Sequence, residues 1–576
     1  MLSTPSSRDT VLAKRLTFIV VLVMSLAVAI FLARQVFAYA NFPFDADEAN
    51  HALGGLQMAQ ALDDGDFGRF ARHFYSRDFY PPGYDWIKAL TFVVLGPSPV
   101  VARMVSVASL FLAVLVIYAV GLEFDEQWGW LVGFVAVLLT LTIQPLLINS
   151  GLVMMEAPGL LVSFALLYVY LRAIKRPSKW RLLATSILLT LTFLTKYTYG
   201  VVAVAVLLLM ELSLLVPYAN KSGEEIGRNG RASFYHRVRH RWLWLFGPFI
   251  VSMLLWFAGA NKLTTFFGYT RPLADSEPWF TLQNMLFYPL SIALHDVPAP
   301  WFALVTAVSL LWALIQWRRF EVRLLLLYFL LGMAAIMLVN HPVSPRFIVT
   351  FVPAVHLLTG AMIAWLVRWQ RTSKGAYTRF FLRLAAVCVA LSLILSIPLI
   401  VERFAAIPSV MEAKVETSPG TEDLYSWIAE QTADAQQIYV INYWDQVSLP
   451  ALSWHLATQS DGTSQRRVSG SLLQPATPAR ADALREDILG SNSTYLVLLE
   501  GGPWGSPFWP EYTDELQDIL NPVARQRFTL EQYDSSNWLD RSYLTRPAWE
   551  QAKRDGRYTL EVNVIIFRLQ GKDADA

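Results

Sequence analysis

Cysteine is nearly missing from this chain: its 576 residues include one, Cys388, set inside an apolar run. An internal disulfide and a cysteine metal site are both excluded, and the residue itself reads as a small buried side chain. Charge is also scarce. Asp, Glu, Lys and Arg together make up 16% of the chain, with a net charge of +2. The basic residues fall in short clusters between apolar runs, which leaves no broad basic face of the kind a nucleic acid needs. There is no fixed-period repeat and no low-complexity tract, so neither a solenoid nor a disordered linker protein fits.

What the chain has in abundance is apolar sequence. Hydrophobic residues make up 55% of it and its mean hydropathy is positive, more apolar surface than a soluble fold of this length can hide. Runs of spanning length are expected near 16–38, 99–121, 129–148, 158–174, 182–196, 198–216, 243–260, 299–316, 322–339, 347–367 and 383–401, eleven in all. The split at Lys196-Tyr197-Thr198 is the weakest of these. The first run is too long for a signal-peptide core and lacks a small-residue cleavage site, so it reads as a retained anchor. Arg8, Lys14 and Arg15 before it place the N-terminus in the cytoplasm. The basic linkers 175–181, 218–242, 317–323 and 367–383 then fall on the cytoplasmic side. The segments 39–98, 145–157, 261–298 and 340–346 fall outside.

After about Val401 the composition changes and no run is long enough to span. Residues 1–401 therefore read as a polytopic helical membrane domain and 402–576 as a soluble α/β domain on the extracytoplasmic side, with strands expected at 436–444, 493–501 and 558–570 and helices at 421–432 and 478–489.

The residues that can carry chemistry gather on the outer face. The first outer segment opens NFPFDADEANHA, which puts Asp47, Glu48 and His51 directly after a span. Such acids can take a proton or hold a cation, and they equally suit a helix start, where the backbone dipole favours negative charge. The same segment continues through HFYSRDFYPPGYDWIKAL, whose apolar piece from Trp86 to Leu95 is too short to span and reads as interfacial or re-entrant. Glu156 stands alone in INSGLVMMEAPGLL, at a depth where an ionisable group is costly unless it faces a cavity or a partner. Lys196 in LTFLTKYTYGVV and Arg346, with His341, in VNHPVSPRFIVTFVP bring cations to that face; snorkelling to headgroups and ligation of a lipid phosphate are both open to them. Tyr269 and Arg271 in FFGYTRPLADSEPWF are further candidates of this kind. Carboxylates from two outer segments and cations from two others suit a lipid-embedded substrate whose leaving group is a phosphate.

Several stretches resemble the membrane-embedded GT-C glycosyltransferases, in the branch of protein O-mannosyltransferases and aminoarabinose transferases, families 39 and 83. They are ADEANHA with Asp47-Glu48, FYPPGYDW, ARMVSVASLF with Arg103, GLVMMEAPGLL with Glu156, FLTKYTYG with Lys196 and SPRFIVTFVPAVHLL with Arg346, in the family's order over roughly residues 40–365. The resemblance implies an inverting transfer of sugar from a polyprenyl-phosphate donor to an acceptor hydroxyl at the outer face of the plasma membrane. Asp47 would be the general base, Glu156 the second acid, and Lys196 and Arg346 the contacts to the carrier phosphate. Beside these, Glu48 is a candidate for the catalytic group, and His51, Arg103, Tyr269, Arg271 and His341 are candidates for substrate contact. A divalent cation, if one takes part, would use Asp47 and Glu156. The partners implied are the polyprenyl-phosphate-linked sugar, membrane lipids and an acceptor that is a protein, a lipid or a glycan. Two positions depart from the pattern: Glu156 stands where many relatives have Asp, and Phe79-Tyr80 precede Pro81-Pro82 where aminoarabinose transferases carry an acid and a lysine. The competing reading is a multi-span transporter or lipid flippase, against which stand the lack of paired inverted halves and the gathering of acids in outer segments.

Overall fold

The computed structural model describes residues 7–40, 44, 46–76, 80–219, 228–259, 262–270, 282–339, 344–372, 375–416, 420–441, 447–459, 467–471, 478–500, 519–533 and 557–569. Each expected apolar run is helical over most of its described length, as a backbone that must satisfy its own hydrogen bonds in hydrocarbon requires. Helix α1 (Ser7–Ala38) leads into three helices of the segment before the second apolar run, α2 (Ala46–Asp63), α3 (Phe67–Ser76) and α4 (Gly83–Leu95). There follow α5 (Pro99–Leu122), α6 (Gly129–Thr140), α7 (Gln144–Ser150), α8 (Glu156–Lys175), α9 (Lys179–Thr195), α10 (Tyr197–Ala219) and α11 (Arg228–Phe257). The membrane part closes with α12 (Lys262–Thr270), α13 (Leu282–Ser291), α14 (Phe302–Ile315), α15 (Phe320–Val339), α16 (Val352–Thr372) and α17 (Ala376–Glu416). A π-helical turn covers Ile292–Asp296 and a 3-10 turn Pro345–Phe347.

Among the described residues, seven helices are long and apolar enough to cross a membrane alone. The run expected as one straight span at 129–148 is instead α6 and α7, bent by 74°. Pro145 sits in the first turn of α7, where a missing N–H costs nothing but a continuous helix would be broken. Counted together they make an eighth span; α9 and α14, at 17 and 14 residues, are shorter. The weak split at Lys196 is a true break: α9 stops at Thr195, Lys196 is extended at φ −157° and ψ 130°, and α10 starts at Tyr197.

At the centre α5 packs on α1, α6 and α8, and α16 lies along α6. The α5–α6 contact is so close that a Cβ on Gly121 would stand 2.2 Å from the Cα of Gly133, so only glycine allows it. By contrast α17 turns Ile394, Leu395 and Val401 outward, the surface a lipid would cover.

Helix α17 runs past position 401 to Glu416, and the C-terminal unit starts with α18 (Thr421–Gln431). Its further elements are β1 (Gln437–Ile441), α19 (Leu449–Gln459), β2 (Arg467–Ser471), α20 (Pro478–Gly490), β3 (Tyr495–Glu500), β4 (Leu520–Tyr533) and β5 (Arg557–Leu569). The sheet order is β2-β1-β3-β5-β4, with β1 parallel to β2 and β3, and β5 antiparallel to β3 and β4. Strand alternation gives it two apolar faces. Tyr439, Ile441, Leu496 and Leu498 meet Leu484 and Ile488 of α20. Ile438, Val440, Tyr495 and Val497 face the other way, into a cluster that continues through α18 and α19 to Phe44, Ala49, Ala52 and Leu56 at α2. The seam is carried by α19, which lies along α2. Its Trp454 stands edge-on to Phe44 at 4.9 Å and 5.8 Å from Phe92.

Candidate active site

Asp47 and Glu48 are consecutive in the first turn of α2, so their side chains leave the helix about 100° apart. That rotation separates them into two environments. Asp47 Oδ2 accepts from Arg346 Nη2 at 2.8 Å, both side chains keeping solvent access at 37% and 23%. Glu48 points inward and is buried. Its two oxygens accept from Arg103 Nε and Nη2, each at 3.0 Å, and Oε1 also accepts the Val153 N–H at 2.9 Å. Arg103 Nη1 in turn donates to the Tyr39 carbonyl at 3.1 Å, and its guanidinium lies over the Phe44 ring. One buried pair thereby ties the end of α1, the start of α2, α5 and the segment leading into α8.

Glu156 is the first residue of α8, buried at 3% exposure, where the helix N-terminus favours its charge. Its Oε2 has no hydrogen-bond partner among the described residues. Lys196, in the break between α9 and α10, is 5% exposed, with its ammonium 4.8 Å from the Phe347 ring centre and 5.3 Å from that of Tyr199. The charges of Glu156, Arg346 and Asp47 all act on it. Arg346 sits in the 3-10 turn, stacks over Phe347 at 5.1 Å and touches Met154 Sδ at 3.8 Å. Asp47, Glu156, Lys196 and Arg346, drawn from four separate segments, thus lie near one another at one end of the helices. The proline-glycine turn before α4 helps fix this arrangement, since Gly83 lies directly against the backbone of Leu194 and Thr195.

The remaining sequence candidates are placed differently. Arg103 is held by Glu48 beneath α2. His51 is buried with its ring 4.6 Å from Tyr80 and 5.7 Å from Tyr84, and its carbonyl accepts from Lys88 Nζ. Tyr269 belongs to α12, but its side chain lies outside the described residues, as do Arg271 and His341 altogether. Sequence reasoning passed over Lys88, which is fully buried, pairs with Asp85 at 2.9 Å and lies 4.0 Å from the Tyr84 ring centre. Its signal was there: a lysine three residues after an aspartate inside an apolar segment. On the rim, burial and then the charges of Arg69, Arg72 and Arg467 hold the His73 imidazole below its ordinary range, and the Arg69 N–H keeps the Asp66 carboxylate low.

Among the described residues no three His, Cys, Asp or Glu side chains group closely enough to cage a metal ion. Of the two carboxylates expected to hold a divalent ion, Asp47 is paired to Arg346 and Glu156 keeps one oxygen without a hydrogen-bond partner among the described residues.

Comparison with known proteins agrees with this architecture. The family model of dolichyl-phosphate-mannose-protein mannosyltransferases matches residues 80–221, a segment that carries Arg103, Glu156 and Lys196. No curated protein sequence matches the chain. Among solved structures, ArnT from Cupriavidus metallidurans in the apo state superposes with a TM-score of 0.56 at 12% identity, over 94% of this chain and 97% of that one. ArnT bound to undecaprenyl phosphate gives 0.54 at 13% identity with the same coverage. The archaeal oligosaccharyltransferase AglB from Archaeoglobus fulgidus, in complex with an inhibitory peptide and a dolichol-phosphate, gives 0.50 at 12% identity over 82% of this chain and 69% of that one. The chain has the fold of the membrane-embedded GT-C glycosyltransferases, a multi-pass helical membrane part with a C-terminal domain built on a small sheet.

Proposed function

We propose that this protein is an inverting glycosyltransferase that takes a sugar from a polyprenyl-phosphate donor and passes it to an acceptor hydroxyl at the outer membrane face. The observation that carries the reading is the convergence of Asp47, Glu156, Lys196 and Arg346 at one end of the helices. The GT-C fold supports it, as does the fact that one structural neighbour is a complex with undecaprenyl phosphate.

In this mechanism Lys196 and Arg346 receive the carrier phosphate, the lysine as a point charge and the arginine as a fork. An incoming phosphate competes for the guanidinium that Asp47 holds, so donor binding releases the carboxylate. Asp47 then deprotonates the acceptor hydroxyl, whose oxygen attacks the anomeric carbon from the face opposite the phosphate. The bond to the phosphate oxygen breaks, configuration inverts, and the polyprenyl phosphate leaves with its charge neutralised by the two cations. Glu156, buried beside Lys196, holds that ammonium toward the phosphate. The N-terminus lies in the cytoplasm in this reading and the C-terminal domain outside, with α19 next to the helix that bears the base.

The test is transfer of radiolabelled sugar from a panel of polyprenyl-phosphate sugars by the purified protein in nanodiscs, beside Asp47→Asn and with and without EDTA. Turnover with at least one donor that vanishes in Asp47→Asn is the expected result. Full activity in a folded Asp47→Asn protein would remove Asp47 from the role of base. A loss of turnover in EDTA would restore a divalent cation to the mechanism.

A further inference from the structure

A second charged pocket lies at the opposite end of the membrane helices. The length of α5 from Arg103 to Leu122 sets it about 28 Å from the Glu48–Arg103 pair, at 1.5 Å of rise per residue. Its lining includes Asp125, Trp128, Arg319, Trp365 and Arg368. Trp128 is nearly buried and carries the Arg371 guanidinium 4.7 Å above its ring centre. Trp365 packs against Trp369 at 4.9 Å and Trp312 at 6.2 Å. Arg368 reaches Asp125 at 3.3 Å while its side chain stays 62% exposed, and Arg319 reaches the Phe124 carbonyl at 3.4 Å. The Asp125 carboxylate is itself committed to the N–H groups of Gln127 and Trp128 at the start of α6.

Arg319 and Arg368 thus line the pocket beside Asp125, and Arg371 stands over Trp128 at its edge, so that planar guanidinium forks lie between indole rings. Arginine forks match phosphate oxygens, and tryptophans at helix ends sit at headgroup depth. Arg319 and Arg368, from two of the basic linkers, both line the pocket. Beside it α14 leaves Leu311, Leu314 and Ile315 exposed, a strip on which an acyl chain can lie.

We propose that this pocket binds the phosphate headgroup of an anionic phospholipid from the leaflet on that side, held by Arg319, Arg368 and Arg371 with its chains along α14. The proposal is independent of the transferase reading. It is tested on the full chain in detergent by native mass spectrometry and thermal unfolding with phosphatidylglycerol, phosphatidylcholine or inorganic phosphate added. Phosphatidylglycerol is expected to give a retained adduct and a raised Tm, which phosphatidylcholine and inorganic phosphate do not. In the exposed double variant Arg368→Gln/Arg371→Gln its affinity falls by about tenfold or more, the loss of one or two charge-assisted hydrogen bonds. The Arg368→Lys/Arg371→Lys variant, which keeps the charge without the fork, falls between the two. Equal phosphatidylglycerol binding by parent and Gln variant, or equal binding of phosphatidylcholine, overturns the proposal. A Tm rise with inorganic phosphate as large as with the lipid overturns the headgroup as the source.

Discussion

The two sides of the α2 N-terminus treat neighbouring carboxylates in opposite ways. On the buried side Glu48 has both oxygens filled, by a guanidinium fork and a backbone N–H, and nothing it touches can leave without stranding a charge in the interior. On the open side Asp47 meets Arg346 through one short contact in a half-exposed pocket. A buried pair is costly to break and an exposed pair cheap, so the first makes a strut and the second an exchangeable contact. Acidity alone therefore does not mark a catalytic group; the lone pairs left for a substrate do.

Variants can break or sharpen this contrast. The largest effect is expected in Asp47→Asn: transfer activity down by about 10²- to 10⁴-fold, with a thermal unfolding transition close to the parent's. Glu48→Ala should do the reverse in kind, lowering stability by about 3–5 kcal/mol because Arg103 is left buried and uncompensated, read as a fall in Tm and in folded yield. If Asp47→Asn proved the destabilised one and Glu48→Ala the stable one, the assignment of strut and exchangeable contact would be inverted. Trp454→Ala removes the ring that α19 lays on Phe44, and a loss of about 3 kcal/mol is expected in unfolding of the seam, followed by hydrogen exchange in α2. The smallest change belongs to Arg346→Lys, which keeps the charge and loses the fork. It should raise the donor KM by less than about tenfold with little shift in Tm.

Much of the membrane part was legible from composition, because long apolar runs leave the backbone few choices. The C-terminal strands β1, β3 and β5 also announced themselves as apolar stretches. By contrast β2, as short as β1, has Val468 as its one large apolar residue and contains Gly470, and β4 has Pro522 near its start and then carries Arg525, Arg527 and Glu531, so neither shows the pattern of a buried strand. The bend between α6 and α7 lay hidden in a run that hydropathy alone reads as continuous. At the site, a count of spans led to the expectation that Asp47, Glu156, Lys196 and Arg346 share one face. What could not follow was which of two adjacent acids turns inward, since that rests on a single step of helix rotation and on the partner waiting below, Arg103. Nor could the sequence show that α19 reaches α2, because packing between distant segments leaves no local trace.

Asp47 and Arg346 stand 299 positions apart in the chain and 2.8 Å apart in space. A ribosome adding roughly 5–20 residues per second takes about 15–60 s to travel from one to the other. During that interval the nascent chain displays its acid without its cation. Assembly of the pocket thus doubles as a checkpoint on completeness: a chain truncated before the 3-10 turn at Pro345–Phe347 presents half a site to the membrane.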